Sequence, residues 1–326
     1  MNKRPLVSIV TINYNQAEVT CEMLESFRRV TYPAYEIIVV DNDSPTAPDI
    51  IEQRYPEVKL IRSKSNLGFA GGNNLGIDAA SGEYILFLNN DTEVEPGFIE
   101  PIVELMESDR SIGMVSPKIK FFYHRDTVQY AGYSKFNIFT ISMTGYGFKQ
   151  KDDGRFDKLL KTNFCHGAAM MVPMEVIRKV GKMPDLYFLY YEEHDWAMRV
   201  KNAGYSIYYL PDSTVWHKES ISTGKQSALK TYYFTRNRIL FGRRNISGIA
   251  ALLSMAYMVL VAIPKNLVVY LLKFDIKHMR AYAFAIWWHI KRLHKRFYVN
   301  DFKKHTNQAI KFNKESKLIQ PQVNPE

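Results

Sequence analysis

The first half of the chain alternates short apolar, β-branched runs with helical patterns, and this order constrains the fold more than any other feature. Four runs predict strands: Leu6–Ile12, Tyr35–Val40, Val58–Arg62 and Tyr84–Leu88. Helices are predicted at 17–29, 47–54 and 72–80, and after Pro96. A β-α-β-α order predicts an α/β fold with a mostly parallel sheet and helices on both faces. Because ligands of such sheets bind beyond the carboxyl ends of the strands, the residues after each strand are the functional candidates.

The second half is less regular. Residues 120–162 are rich in Tyr, Phe, Gly and Lys, and we predict an elaborated loop region there. Beyond it the pattern predicts a strand at His166–Val172, a helix at Glu192–Ala203, a strand at Tyr205–Leu210 and a helix at Gln226–Arg243.

The net charge of +10 is unevenly distributed along the chain. Residues 225–326 hold 19 Lys and Arg against 4 Asp and Glu, a net charge of +15, and the preceding residues carry −5. This asymmetry indicates an anionic partner for the C-terminal part, either nucleic acid or anionic lipid. The two cysteines, Cys21 and Cys165, cannot build a disulfide framework, which favours a reducing compartment. The first 16 residues contain only a short apolar run, which predicts a first strand and not a signal peptide.

An apolar stretch follows residue 245. Gly248–Ile263 is almost entirely apolar, and Leu267–Leu272 continues it after Lys265 and Asn266. Further on, two tryptophans are surrounded by basic residues: Trp287, Trp288, Lys291, Arg292, Lys295 and Arg296. Aromatic and basic residues together are typical of an interfacial membrane anchor. We therefore expect 246–326 to be a basic, helical, membrane-associating tail, peripheral or shallowly inserted. A single or re-entrant membrane segment and a buried hairpin of a soluble fold stay open.

Two acidic residues follow predicted strands. Asp91, in Asn-Asn-Asp-Thr after Tyr84–Leu88, could hold Mg²⁺ or Mn²⁺, which prefer oxygen ligands. The same four residues are also good turn formers. Asp41 follows the second strand and could accept hydrogen bonds from a nucleobase or ribose, although a carboxylate at such a position, taken alone, is more often a turn or capping residue.

Two further candidates lie in the second half. The sequence Glu192-Glu193-His194-Asp195-Trp196 opens a predicted helix, where carboxylates can complement the helix dipole or act as a general base. Asp195 and Arg199 are one turn apart, which favours a paired structural acid. His217 is a good ligand type for a Mn²⁺-like ion, although a lone histidine is more often structural.

The glycine-dense stretch Asn66–Gly76 permits close backbone approach before a helix N-terminus, which favours phosphate. No Gly-Lys-Ser/Thr follows it, so it is not a P-loop, and it does not have a clean G-x-G-x-x-G pattern.

Taken together, these segments resemble glycosyltransferase family 2, closest to its bacterial rhamnosyltransferase-like branch. The matching pieces occur in order over about residues 5–240: Val7–Asn15, Ile38–Asn42, Asn66–Gly76, Phe87–Asp91, Gly167–Met170, Glu192–Trp196, Trp216-His217 and Arg236-Asn237. The resemblance implies a GT-A-like, Rossmann-like fold. It implies a catalytic domain at 1–245, with a nucleotide-sugar half at about 1–117 and an acceptor half at about 118–245.

The resemblance also implies roles for individual residues. The donor nucleotide would contact residues at the strand ends and in the glycine-rich stretch: Thr11, Asn13, Asn15, Asp41, Asn66, Gly68, Gly72 and Asn90. Asp91 would bind the metal with the diphosphate, and His217 matches a histidine that ligates the metal in some members. Asn89 stands where the first Asp of the family's Asp-x-Asp motif usually lies. Glu193 matches the general base, with Glu192, Asp195 and Trp196 in supporting positions.

The implied reaction is a single displacement that inverts the anomeric carbon of a nucleoside-diphosphate sugar, with Mg²⁺ or Mn²⁺ as cofactor. The implied acceptor is lipid-linked or a glycan of the cell envelope, reached at the cytoplasmic face of the inner membrane. Two other readings stay open: a sugar nucleotidyltransferase, which Thr11–Gln16 disfavours because it lacks a Gly-rich, Arg-bearing loop, and a non-enzymatic basic membrane-binding protein. We expect no nucleic-acid partner, because the tail's aromatic residues lie within apolar runs.

Overall fold

The computed structural model describes residues 4–218 and 227–295, which pack as two compact units. The first unit comprises the described residues up to 135 together with 143–184 and 193–218, and it contains the whole sheet. The second comprises 136–142, 185–192 and 227–295. The helix at 228–245 thus belongs to the second unit by its contacts, whereas the predicted catalytic domain, 1–245, includes it.

Eleven strands form the sheet of the first unit. They are β1 (Val7–Asn13), β2 (Tyr35–Asp41), β3 (Lys59–Arg62), β4 (Tyr84–Leu88), β5 (Thr92–Val94), β6 (Ile112–Phe121), β7 (His124–Tyr130), β8 (Gln150–Lys151), β9 (Leu160–Lys161), β10 (Ala169–Pro173) and β11 (Ser206–His217). Six helices accompany them: α1 (Ala17–Phe27), α2 (Asp49–Arg54), α3 (Gly68–Ala79), α4 (Ile99–Ser108), α5 (Met174–Val180) and α6 (Glu192–Asn202).

The sheet is parallel in its first half and mixed in its second. Strands β3, β2, β1 and β4 are parallel neighbours, as predicted. Strand β10 then runs antiparallel between β4 and β6, β11 is parallel to β6, and β5 is antiparallel to β11. The α/β fold class is confirmed, and the antiparallel strands are those whose connections are not β-α-β crossovers.

The apolar core lies against the sheet. Leu24 and Phe27 of α1 and Ile102 of α4 belong to one buried cluster with Ile9 and Leu86 of the central strands. On the opposite face α3 packs so closely that its glycines are required. A Cβ on Gly72 would lie 2.9 Å from Ile12 Cδ1, and one on Gly76 would overlap Val10 Cγ1. The predicted helix start at residue 72 is therefore four residues late: α3 begins at Gly68, whose φ of +71° favours glycine.

The prediction that 120–162 is an elaborated loop is wrong in part. Strand β6 runs to Phe121, and His124–Tyr130 pairs antiparallel with it as a hairpin, to which β8 adds. Salt bridges tie this region down, since the buried ammonium of Lys118 lies 3.0 Å from Asp152 Oδ1 and also pairs with Asp157. Strand β11 likewise continues to His217, seven residues beyond the predicted end at Leu210.

The second unit is helical in its described C-terminal part. It contains α7 (Ala228–Asn245), α8 (Gly248–Tyr257), a π-helical segment (Met258–Ala262), α9 (Ile263–Leu272) and α10 (Ile276–Ile290). α8, the π segment and α9 form one continuous helix, Gly248–Leu272, which we call the apolar helix. It is long and apolar enough to cross a membrane by length and composition, and Lys265 and Asn266 do not interrupt it.

We predict that Gly76→Ala destabilises the first unit, because its methyl group would overlap the buried Val10 in a packed core. We expect the free energy of unfolding to fall by about 1–3 kcal/mol in chemical denaturation. Gly97→Ala is the matched control, because its Cβ would meet no atom closer than 3.9 Å. Equal stability of the two variants would contradict the close helix–strand packing.

Candidate functional site

A chain of hydrogen bonds connects the carboxyl ends of three parallel strands. Asn90, after β4, donates through Nδ2 to the hydroxyl of Thr20 (3.0 Å), and that hydroxyl donates to Asn13 Oδ1 (3.0 Å). Asn13 Nδ2, at the end of β1, donates to Asp41 Oδ1 (2.7 Å) at the end of β2. All four side chains are buried, so the three strand ends form one fixed polar edge.

The loop after β2 extends this edge. Asp41 accepts hydrogen bonds from the backbone N–H of Ser44 (3.2 Å) and from its hydroxyl (2.5 Å). The hydroxyl oxygen of Ser44 in turn accepts from the backbone N–H of Asn15 (2.7 Å). Asn15 has a φ of +53°, a left-handed conformation in which asparagine is favoured. Thr20 and Ser44 were not identified from the sequence, because a single hydroxyl in a helix or loop carries no pattern of its own.

The glycine-dense stretch is fixed to the same edge by Asn42. Asn42 Nδ2 donates to Asn66 Oδ1 (3.1 Å) and to the carbonyl of Gly68 (3.0 Å). Asn66 Oδ1 also accepts from the N–H of Gly68 (2.9 Å), which shapes the turn before α3. Thr11 and Gly72 are placed differently. Thr11 is fully buried within β1, and Gly72 allows α3 to pack on Ile12.

Asp91 and His217 are brought together by strand pairing. β5 and β11 are antiparallel, with His217 opposite Thr92, and the N–H of Lys218 donates to the carbonyl of Asp91 (2.8 Å). As a result Asp91 Oδ1 lies 3.0 Å from His217 Nε2, and both side chains are buried. Asn89 Nδ2 is 3.4 Å from the same ring nitrogen.

The hydrogen bond on the other side of the imidazole decides what this pair can bind. His217 Nδ1 is 2.9 Å from Gln129 Oε1, which can only accept, so Nδ1 carries the proton. In the neutral ring Nε2 then presents a lone pair toward Asp91 Oδ1, to which no described N–H or O–H donates in hydrogen-bond geometry. Two converging lone pairs suit a shared cation, and this donor set fits a Mn²⁺-like ion that also takes ligands from a diphosphate.

Burial and the neighbouring imidazole of His217 shift the pKa of Asp91 in opposite directions. Burial raises the pKa of Asp91, but the positive charge and Nε2–H of a protonated His217 ring and, more weakly, Lys218 lower it more, so the pKa of Asp91 beside the protonated ring lies below its ordinary value. Asp91 is therefore an anion at neutral pH. Within the described residues no cluster of three or more His, Cys, Asp or Glu side chains could hold a metal by itself. Any ion here would need ligand oxygens or water to complete its coordination.

Glu193 lies near the N-terminus of α6, with its side chain only 13% exposed. Its Oε1 is 3.2 Å from His194 Nδ1, and Oε2 has no hydrogen-bond partner among the described residues. Burial raises the pKa of Glu193, but the His194 imidazole lowers it by a larger amount, so the net shift of the pKa is downward. Opposite this carboxylate is Gly167, where a Cβ would come within 3.7 Å of Oε1.

His166 is near both His217 and Glu193, and the sequence did not identify it as a site residue. Its ring is 6.2 Å from that of His217, and its Nδ1 accepts from the N–H of Ala168 (3.1 Å). Burial, with a smaller contribution from His217, lowers the pKa of His166 to about 3, so it is a neutral ring. The signal available in the sequence was its position just before the matched Gly167–Met170 segment.

The other residues of α6 support the fold. Trp196 is fully buried, donates through Nε1 to the carbonyl of Gly181 (2.8 Å) and packs edge-on against Phe87. Asp195 Oδ1 lies 3.6 Å from Arg199 Nε, the one-turn pair expected from the sequence. Glu192, at the start of α6, is buried as well.

In the second unit, Arg236 and Asn237 donate hydrogen bonds to backbone carbonyls of residues 186–190, the segment before α6. Asn237 Nδ2 donates to the carbonyls of Tyr187, Leu189 and Tyr190 at 2.7–3.1 Å, and Arg236 Nη2 donates to that of Leu186. The segment needs this support, because three of its non-glycine residues have positive φ: Phe188, Tyr190 and Tyr191. Such strain persists where the surroundings determine the backbone. The expected Arg-Asn pair is thus a backbone clamp.

The family follows from comparison with known proteins. Residues 8–181 match the model of "Glycosyl transferase family 2", which is more than half of the chain. The chain therefore belongs to glycosyltransferase family 2 and is a glycosyltransferase that acts on nucleotide sugars.

Two curated relatives cover most of the chain. The dTDP-rhamnosyl transferase RfbF of Shigella flexneri is 26% identical over 87% of this chain and 95% of its own length. The low-salt glycan biosynthesis hexosyltransferase Agl10 of Haloferax volcanii is 26% identical over 72% of this chain and 74% of its own. The predicted membership of glycosyltransferase family 2 and the predicted similarity to its rhamnosyltransferase-like branch are confirmed.

Solved structures support the GT-A fold. The mannosyltransferase PcManGT from Pyrobaculum calidifontis, solved with GDP-Man and Mn²⁺, has a TM-score of 0.56 at 16% identity and covers 97% of this chain and 81% of that chain. GalNAc-T7, solved with UDP, GalNAc and Mn²⁺, has a TM-score of 0.59 at 16% identity. It covers 73% of this chain, which in turn spans 48% of GalNAc-T7.

Proposed function

We propose that this glycosyltransferase is a metal-dependent, inverting enzyme that transfers a sugar from a nucleoside-diphosphate sugar to a hydroxyl of a lipid-linked or polysaccharide acceptor. The observation that carries the proposal is the set of buried polar groups at the carboxyl edge of the sheet. They comprise a hydrogen-bonded polar edge, the Asp91–His217 pair with converging lone pairs, and the partly unpaired carboxylate of Glu193.

The polar edge is the proposed donor site. Asp41 and Asn13, fixed by Ser44, present oxygens and N–H groups suited to a base and ribose. The turn Asn66–Gly68 precedes the N-terminus of a 12-residue helix, α3, which favours phosphate oxygens. Asn90 is bound to the same network through Thr20, so nucleotide binding and the position of Asp91 are linked through adjacent residues.

Asp91 and His217 are the proposed ligands of Mg²⁺ or Mn²⁺, with Asn89 beside them. A bound divalent ion would supply charge stabilisation for the diphosphate leaving group. The chain's own contribution is to hold Asp91 as an anion and His217 as the tautomer that exposes Nε2. Gln129 fixes the tautomer by accepting a hydrogen bond from Nδ1–H, as the partners of metal-binding histidines usually do.

Glu193 is the proposed general base. Its pKa is held low by His194, so the carboxylate is ready to accept the acceptor's hydroxyl proton at neutral pH. The hydroxyl oxygen of the acceptor, as it loses its proton to Glu193, attacks the anomeric carbon from the face opposite the diphosphate. This single displacement inverts the configuration of that carbon. Asp195 is paired with Arg199 and is not proposed as the base.

The sugar and acceptor are proposed from the relatives. Similarity to a dTDP-rhamnosyl transferase over most of both chains favours a rhamnosyl donor, and similarity to a glycan biosynthesis enzyme favours a cell-envelope glycan. We place the enzyme on the cytoplasmic face of the inner membrane, where nucleotide sugars and lipid-linked acceptors meet.

We predict that Asp91→Asn abolishes the Mn²⁺-dependent part of donor-nucleotide binding, because the anion that faces His217 Nε2 is lost. Titration calorimetry with nucleoside diphosphates, with and without Mn²⁺, measures this directly. Asp78→Asn, an exposed residue paired with Lys182, is the matched control and should bind normally. Unchanged metal dependence in a folded Asp91→Asn protein would rule out the metal site.

We predict that Glu193→Gln binds the donor normally but loses at least about 100-fold in transfer rate, the usual scale for a missing general base. Binding and single-turnover transfer should be measured on the same preparation. If Asp195→Asn abolished transfer with donor binding intact while Glu193→Gln did not, the roles of the two residues would be exchanged.

The low pKa of Glu193 predicts the pH dependence of transfer. A base with a depressed pKa stays ionised until the pH falls below the ordinary glutamate range of about 4.3, so kcat/KM should be flat above it. His194→Phe keeps a ring between Tyr133 and Phe164 but removes the imidazole, so burial should raise the pKa of Glu193. The acid limb of kcat/KM should then move to higher pH, and an unmoved limb would contradict the assignment of Glu193.

A further inference from the structure

Helices α7 and α10 of the second unit pack side by side along their length. Near their N-terminal ends, Ala228, Tyr232 and Tyr233 share a buried cluster with Ala281 and Ala285. Nearer their C-terminal ends, His289 Nε2 lies 2.8 Å from the carbonyl of Arg236, and Arg243 donates to the carbonyl of Arg292 at 2.8 Å. The two helices are therefore parallel, with their N-termini at one end of the pair and their C-termini at the other.

The apolar helix Gly248–Leu272 must then run back along this pair. It starts three residues after the C-terminus of α7 and ends four residues before the N-terminus of α10. Its contacts agree with an antiparallel path, because Asn266 Nδ2 donates to the hydroxyl of Tyr282 (3.1 Å) and the ring of Tyr270 stacks on His278. Both ends of the apolar helix thus lie beside α7 and α10.

The polarity of the apolar helix is the reverse of that in a soluble protein. Its inward stripe contains Ser254, Met258, Ala262 and Asn266, whereas large apolar side chains point outward. The outward residues are Ile249, Leu252, Leu253, Val259, Leu260, Val261, Val268, Leu271 and Leu272, each 47–75% exposed. The surface continues onto Phe274, which is 86% exposed, and onto Phe284 and Trp287 of α10. Contiguous exposed apolar surface of this extent marks an interaction site.

The basic residues near this exposed apolar surface indicate which kind of partner it binds. Residues 246–295 contain seven Lys and Arg and a single acidic residue, Asp275, which caps α10 and pairs with His278. Lys291 lies over the ring of the half-exposed Trp287, the side-chain pair typical of a membrane interface. An apolar face rimmed by cations complements an anionic bilayer, with acyl chains below and negative headgroups at the rim.

We propose that the outer face of the apolar helix lies flat in the surface of an anionic bilayer, and that this helix does not cross it. A 25-residue helix is about 37 Å long and could span the hydrocarbon core of about 30 Å. A crossing, however, would place Asn245 and Ile276 on opposite sides of the membrane. The parallel packing of α10 on α7 would then draw α7, with Arg236 and Arg243, into hydrocarbon, where charged side chains are strongly disfavoured. Lying flat leaves α7 out of the bilayer.

The inference rests on the proposed function in one respect, since a lipid-linked acceptor gives a membrane-bound enzyme its purpose. The physical claim is separate from it and can be tested without any transfer assay. If Asp91→Asn leaves metal-dependent nucleotide binding unchanged while vesicle binding is observed, the proposed function fails and the membrane inference stands.

The first test is sedimentation of the full-length protein with vesicles. We expect binding to phosphatidylglycerol–phosphatidylcholine vesicles at low salt, weaker binding at high salt, and little binding to phosphatidylcholine alone. Leu260→Glu should weaken binding at least about tenfold, because it places a charge in the apolar face. Leu159→Glu, at a half-exposed leucine of the first unit, is the matched control and should bind as the wild type does. Donor-nucleotide binding should be unchanged in both variants.

The second test distinguishes a flat helix from a spanning one. Single cysteines at Leu252, Leu260 and Leu271 carry nitroxide labels, and the native Cys21 and Cys165 are both buried. A flat helix gives the same shallow depth at all three positions. A deep label at 260 between shallow labels at 252 and 271 would overturn the proposal in favour of a span. Self-association without vesicle binding would overturn it as well, and would identify a second copy as the partner.

Discussion

The antiparallel pairing of β5 with β11 is the contact on which the candidate catalytic centre depends. It joins residues 91 and 217, more than a hundred positions apart, and places an anionic oxygen 3.0 Å from an imidazole nitrogen in a buried site. The β6–β7 hairpin then supplies Gln129, whose amide oxygen fixes the proton on the far ring nitrogen. Three strands from separate parts of the sequence thus determine the charge and the tautomer of one pair of side chains.

The strands of the parallel half of the sheet could be predicted from the sequence, because each is marked by a local run of apolar residues. Tyr84–Leu88 is fully apolar and fully buried, and its predicted bounds are those observed. The polar residues after β1, β2 and β4 follow from the rule that ligands bind at the carboxyl edge, and Asn13, Asp41 and Asn90 do lie in one hydrogen-bonded network. A parallel sheet needs only the order of its strands to bring those ends together.

The strands of the antiparallel half could not all be predicted, because some of them are strands only through their pairing with a neighbour. His124–Tyr130 contains exposed charged residues at its start and lacks clean alternation, so only pairing with β6 makes it a strand. Strand β11 passes through Pro211 and Asp212, which favour a strand end, and the register shift between Leu210 and Thr214 accommodates them. Gln129 lies on β7 and His166 lies just before the antiparallel strand β10, so neither follows a parallel strand, where functional residues were expected.

The segment before α6 leads directly to Glu193, the proposed base, and is itself held by hydrogen bonds within the second unit. Residues 185–192 belong to that unit, and Glu193 is the next residue along the chain. Three left-handed residues in this segment are stabilised by carbonyl hydrogen bonds from Arg236 and Asn237 on α7. Because α7 also packs along α10, the helices that carry the exposed apolar surface and the segment that leads into Glu193 share one packed unit. The backbone that leads to Glu193, the proposed base, is therefore hydrogen-bonded by α7, which belongs to the same unit as the apolar helix that we propose to lie on the membrane.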